Sequence, residues 1–206
     1  GKAGKTFAKI VVGAEGIRSV VARKFAKHQG DPNHYCSALR AYYENVSGMH
    51  PENFIELYFL KDILPGYLWV FPLPNNQANV GIGMLSANMK KQSMNLKEAM
   101  LHAIENEPLL KDRFKDAKLV GDITGWGLPL GSKKRNLSGD RFILAGDAAS
   151  LIDPFSGEGI GNALVSAMIG SEILINAVNK NDFSADFLSQ YDKRIYDRLW
   201  NEFVMS

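Results

Sequence analysis

The chain has 206 residues, 46% of them hydrophobic and 22% charged, with a formal net charge of +2. That is enough for one good core or two small ones and fits a soluble globular protein. The sole cysteine, Cys36, excludes an internal disulfide, and the near-neutral balance, with only the short Lys133-Lys134-Arg135 cluster, gives no reason to expect nucleic acid.

The beginning, Gly1-Lys2-Ala3-Gly4-Lys5, carries no secretory signal, so a cytoplasmic location is expected. Phe7 to Val12 has the composition of a short apolar strand. Gly13-Ala14-Glu15-Gly16-Ile17-Arg18-Ser19 then reads as a turn opening a helix that runs to about His28 and closes near Gly30. No Gly-x-Gly-x-x-Gly accompanies the strand, although a dinucleotide-binding fold places one after its first strand. The expectation is therefore that an upstream segment of the same polypeptide supplies it.

Four short strands are expected next: His34 to Val46, Asn53 to Leu60, Tyr67 to Leu73 and Ala78 to Leu85. Pro72 and Pro74 are expected to break the third, and Asn75-Asn76 to turn the chain into the fourth. Consecutive strands joined by tight turns predict an antiparallel sheet. Alternation puts Tyr67, Trp69 and Phe71 on one face. That face packs either on a core or on a ligand.

Asn95 to Glu105 has amphipathic helical spacing, and Leu109 to Phe114 reads as a second short helix. Lys118 to Ile123 resembles a strand, followed by an irregular connection, Gly125-Trp126-Gly127-Leu128-Pro129. Phe142 to Leu144 is a short buried strand that ends at Gly146-Asp147. After a polar turn, Gly157, Gly159 and Gly161 stand at the mouth of a long helix whose apolar run, Gly159 to Val178, predicts a buried helix rather than a membrane span. A helix start offers unpaired N–H groups, and glycines let a ligand come close to the backbone. Asp147 could accept from a hydroxyl-bearing chain there, or simply cap a helix. Asp182 and Ser184 cap a last helix, Ala185 to Phe203.

Gly146-Asp147-Ala148-Ala149 with Pro154-x-x-Gly157-x-Gly159-Ile160 resembles the second FAD-binding motif of flavoproteins of the para-hydroxybenzoate hydroxylase type. The resemblance implies that Asp147 holds the ribityl chain of FAD and that Pro154, Gly157, Gly159 and Ile160 form the turn beside the isoalloxazine ring. Gly13-Ala14-Glu15-Gly16 resembles the same family's Gly-Ala-Asp-Gly segment near the flavin, with Glu15 in place of aspartate. Arg23 is a weaker correspondence. Pro65-Gly66-Tyr67-x-Trp69-x-Phe71-Pro72, followed by Asn79-Val80-Gly81-Ile82-Gly83, resembles geranylgeranyl reductases in particular. In those enzymes such a strand lines the cavity for the prenyl chain.

The resemblance implies an α/β flavoprotein, α+β in this stretch. Residues 1–32 and 118–180 would form part of the FAD-binding domain, 33–117 an antiparallel-sheet substrate domain, and 181–206 a C-terminal helix. It implies reduction of C=C bonds in prenyl lipids, with NAD(P)H or another reductant as electron donor and a peripheral contact with a membrane. A monooxygenase or halogenase acting on an aromatic, and a non-catalytic binding module, are the alternatives. No residue stands out as catalytic, and the four scattered histidines show no metal-site spacing.

Overall fold

A computed structural model describes residues 4–205. The first three residues of the chain, and so the very start of the expected FAD-binding part, lie outside them. The elements in order are β1 (Val11–Gly13), α1 (Val20–Lys24), β2 (Tyr35–Glu44), β3 (Glu56–Tyr58), β4 (Gly66–Leu73), β5 (Gln77–Leu85), α2 (Ser86–Lys91), α3 (Leu96–Asn106), α4 (Lys111–Phe114), β6 (Lys118–Pro129), β7 (Ser138–Gly139), β8 (Phe142–Leu144), α5 (Ile160–Lys180) and α6 (Ala185–Met205). They fall into two compact units, Gly1–His34 with Leu128–Ser206, and Tyr35–Gly127.

The first unit is built on a three-stranded sheet in the order β1-β8-β7. β1 runs parallel to β8, with Val11 opposite Phe142 and Gly13 opposite Leu144, and β7 is antiparallel to β8. β8 is buried throughout, and α6 packs on it through Leu188, Tyr191, Ile195, Leu199 and Phe203. The buried stripe runs through Leu188, Tyr191, Ile195 and Leu199, with Leu188 deeper than Phe187. Tyr191 donates from its hydroxyl to the Leu144 carbonyl at 2.6 Å, pinning the helix to the strand end.

Several boundaries differ from the sequence reading. β1 is three residues long, because β8 offers only three partners. Phe7 itself is 94% exposed. α1 starts at Ser19, whose hydroxyl accepts from the Ala22 N–H, and ends by Phe25, short of the expected His28. Lys27 has a φ of +57°, which a continuing helix does not allow. The largest difference is α5. It buries only Ser166, Gly170, Ile173 and Ala177, while Ile160, Leu164, Met168, Ile175 and Val178 are exposed. The expected buried helix is buried along one narrow stripe, and by length and mean hydropathy it is apolar enough to cross a membrane.

The second unit is a five-stranded sheet, order β3-β4-β5-β2-β6, covered on one face by α3 and α4. β4 and β5 form a hairpin through Asn75 and Asn76, which take φ values of +62° and +55°, the left-handed pair such a turn requires. Asn95 caps α3 by accepting from the Lys97 and Glu98 N–H groups. Pro72 does not break β4: β3 pairs only with Leu68 to Val70, so no third strand needs the N–H that proline lacks. The stretch expected to be an irregular connection, Gly125 to Pro129, continues β6. The core gathers Leu68 and Val70 from β4, Val80, Ile82 and Met84 from β5, Ala41 and Tyr43 from β2, and Met100, Leu110 and Phe114 from the helices.

Candidate functional site: a strand-end cradle and an aromatic wall

In the first unit the expected cofactor residues converge at the carboxyl ends of two parallel strands. β1 ends at Gly13 and β8 at Leu144, and the Ala145 N–H donates to the Gly13 carbonyl at 2.9 Å. The turns that follow, Gly16–Arg18 and Gly146–Ala149, are both 3-10 and pack against each other. Crevices outside the carboxyl ends of parallel strands are the usual ligand position in α/β sheets.

Asp147 lies inside the second turn, half-buried, and not at a helix cap. Among the described residues no donor reaches its carboxylate. Burial alone pushes its pKa above the usual carboxylate range. A Cβ added at Gly159, the residue before α5, would stand 3.2 Å from the Asp147 carboxylate and 3.0 Å from Ile152. The absent side chain therefore keeps the approach to Asp147 clear. Gly157 has a φ of +71°, a conformation that suits glycine.

The loop between them is held from within. Asp153 Oδ1 accepts from the Phe155 and Ser156 N–H groups, Gly157 donates to the Asp153 carbonyl, and Glu158 accepts from the Gly161 N–H. Pro154 is half-buried in this loop, and Ile160 is 77% exposed at the start of α5. The Gly146 N–H donates to the Ser166 hydroxyl, which ties the Asp147 turn to α5.

Glu15 braces the first turn, since its Oε1 accepts from the Val20 and Val21 N–H groups at the start of α1. Burial opposes its ionised form, but those donors outweigh it and hold the carboxyl below its usual range. Gly16 is left-handed at +73°.

The arrangement of the first unit fits the FAD that the motifs imply. Asp147 is a hydrogen-bond acceptor without an internal donor, and a Cβ at Gly159 would crowd it.

The second unit holds the expected substrate residues. Leu68 and Val70 are fully buried in the core, so Tyr67, Trp69 and Phe71 stand on the opposite face. Their rings form a ladder, Tyr67 to Trp69 at 6.1 Å and Trp69 to Phe71 at 6.0 Å. Phe59 extends it, 5.8 Å from Tyr67, and Leu57 lies opposite Trp69 in the register of β3 and β4. Phe59 and Leu57 are 55% and 42% exposed. Reasoning on the sequence missed both; their signal was the alternation within Ile55-Glu56-Leu57-Tyr58-Phe59.

Trp69 lies across Gly81, where a Cβ would fall 2.1 Å from the indole Cζ2. Its Nε1–H donates to Asn79 Oδ1 at 2.9 Å. Pro72 follows the ladder, half-buried. The residues expected for the cofactor thus come together in one unit and those expected for the substrate in the other.

Residues 34–124 match the family described as the geranylgeranyl reductase catalytic domain. A digeranylgeranylglycerophospholipid reductase of Thermoplasma volcanium is 36% identical over 199 residues, covering 93% of this chain and 47% of that protein. The crystal structure of a geranylgeranyl bacteriochlorophyll reductase-like protein from Thermoplasma acidophilum superposes with a TM-score of 0.80 at 30% identity, over 96% of this chain and 48% of that one. A halogenase solved in complex with FAD shares the fold at 18% identity, with a TM-score of 0.69 over 95% of this chain and 42% of that one. The chain spans about half the length of the relatives it matches. Residues 34–124 are thus similar to the geranylgeranyl reductase catalytic domain, and almost the whole chain is similar to about half of a digeranylgeranylglycerophospholipid reductase and of a geranylgeranyl reductase-like structure.

Proposed function

We propose that the chain is part of an FAD-dependent reductase that saturates C=C bonds in the prenyl groups of isoprenoid lipids. The observation that carries the reading is the aromatic ladder Phe59, Tyr67, Trp69 and Phe71, turned away from the core of its unit and lying within the stretch that matches the geranylgeranyl reductase catalytic domain. A large aromatic face that serves no core is suited to hydrocarbon. Each buried CH2 of a prenyl chain contributes about 0.8 kcal/mol. Such a wall binds and orients the alkene and excludes water, while offering little to a charged substrate.

FAD, when bound and reduced, supplies the hydride equivalent for the alkene. Asp147 would accept hydrogen bonds from its ribityl hydroxyls, and the Asp153–Gly159 loop, stiffened by its own hydrogen bonds, would hold the ring side with Pro154, Gly157, Gly159 and Ile160. Gly13, Glu15, Gly16 and Gly146 shape the neighbouring strand ends. An upstream segment of the same polypeptide holds the ADP half. NAD(P)H or another cellular reductant recharges the flavin, and the enzyme works in the cytoplasm at the surface of the membrane that carries its substrate.

The test incubates the full-length protein with reduced FAD and a geranylgeranyl lipid and weighs the product by mass spectrometry. Gain of two hydrogens per bond is expected. Gain of oxygen or halogen would assign the chain to the monooxygenase or halogenase branch of the fold, and an unchanged lipid would leave a binding module.

A further inference from the structure

We propose that Asn79 is a positioning residue for the substrate: it fixes the Trp69 indole and satisfies the indole N–H, so that hydrocarbon can cover the wall without stranding a polar group. The proposal rests on the reading of the wall as the prenyl-binding surface.

Trp69 is located by three independent restraints. Its Nε1–H donates to Asn79 Oδ1 at 2.9 Å. Its ring lies on the backbone of Gly81, with a Cβ position there only 2.1 Å from Cζ2 and 2.5 Å from Cε2. The rings of Tyr67 and Phe71 flank it. In the β4–β5 register Trp69 is opposite Gly81 and Phe71 is opposite Asn79, so the hydrogen bond runs diagonally across the open face. An indole N–H only donates, so the amide must turn its oxygen to the ring.

None of this serves the core. Trp69 is part-buried on the face opposite Leu68 and Val70, and its N–H already has an acceptor there in Asn79. The acceptor matters when an apolar chain covers the ring. A polyprenyl group has no acceptor, and an N–H covered by it without a partner would lose its full hydration. Asn79 supplies the acceptor from within the wall. It also removes rotamer freedom from the largest side chain of the ladder, so less entropy is lost when ligand binds.

The experiment measures steady-state kinetics of the full-length, FAD-loaded protein on a geranylgeranyl lipid. Four forms are compared: the parent, Asn79→Ala, Trp69→Phe, and the double variant. Asn79→Ala is expected to raise KM about fivefold to tenfold, the scale of one hydrogen bond left unmade, with kcat within about twofold and an unchanged flavin spectrum. Trp69→Phe keeps a ring but removes the N–H. In that background Asn79→Ala should change KM by less than about twofold, because the acceptor then has nothing to satisfy. A merely structural Asn79 would give the same change in both backgrounds. Should Asn79→Ala fail to fold, Asn79→Thr, which suits a strand and falls short of the indole, takes its place. Unchanged KM in the single variant, or equal changes in the two backgrounds, would overturn the assignment while leaving the function standing. A parent protein that neither binds nor reduces the lipid would defeat the function, and the role of Asn79 with it.

Discussion

Asp147 and Cys36 show how burial sets chemistry at single residues. Burial raises the pKa of Asp147, with no donor to offset it. In the ligand-free fold the ionised form is therefore the disfavoured one. Below the ordinary carboxylate range the group is protonated in folded and unfolded chains alike and contributes nothing. As pH rises from that ordinary value to the raised one, the unfolded chain ionises first and folding loses stability; above it the loss is constant. With Asp147 in its proposed role as acceptor for the ribityl hydroxyls, flavin affinity should run the other way. In the full-length protein, affinity measured by flavin fluorescence should rise with pH across that window and then level off. Asp147→Ala should lower it roughly tenfold to a hundredfold and abolish the pH dependence. A folded variant of unchanged affinity would remove Asp147 from the cofactor site. Cys36 is the second case. Burial pushes its thiol from the ordinary 9.0 up to about 11, slightly relieved by the Met84 backbone. That rise leaves about a hundredfold less thiolate near neutral pH. Alkylation by iodoacetamide at about pH 7.5, followed by mass spectrometry, should be slower by that order in the folded chain than in denaturant.

Glycines in β5 separate packing from function at the scale of one element. At Gly81 an added Cβ would meet the Trp69 ring at 2.1 Å and the Leu39 carbonyl at 2.4 Å, and a backbone atom cannot step aside. At Gly83 the same Cβ would sit 3.4 Å from Cys36 Sγ and 3.8 Å from Ala38 and Trp69, which is ordinary contact. Gly81→Ala should therefore cost on the order of 3 kcal/mol or prevent folding, while Gly83→Ala should stay within about 1 kcal/mol. Thermal unfolding followed by circular dichroism distinguishes them; equal losses would mean that the sheet yields at Gly81. The β4–β5 hairpin was the most legible part of the sequence, because alternation, Asn75-Asn76 and the aromatic spacing all agree. β6 was not. Its first half, Lys118 to Ile123, read as a strand, but Gly125 and Gly127 read as an irregular connection, yet they continue the strand that neighbours β2. Likewise α2, Ser86–Lys91, gave no sign of itself, being too short for a periodic pattern. In the candidate site, Asp147 and its glycines were legible because a turn needs particular residue types. Asn79, Leu57 and Phe59 were not, since their meaning depends on register across strands.

At the scale of the whole molecule, the parallel pair β1–β8 and the long helix α5 carry surfaces that these residues do not cover. Val11 and Val12 are 41% and 45% exposed on β1, a strand with β8 as its one neighbour among the described residues. The outer side of α5 is apolar from Ile160 to Val178. The same half of the fold holds Asp147 but no Gly-x-Gly-x-x-Gly turn, the device by which a backbone cradles a pyrophosphate at a helix N-terminus. A flavin dinucleotide held only by its ribityl and ring contacts forgoes the charge-assisted contacts of its two phosphates. Losing a few such hydrogen bonds weakens affinity by several powers of ten, since each is worth roughly 1.5–3 kcal/mol. The 206-residue chain by itself should accordingly leave gel filtration colourless after incubation with excess FAD. Chain that emerges yellow with stoichiometric flavin would show that the Asp147 cradle suffices alone, and that the pyrophosphate finds its donors among the residues described.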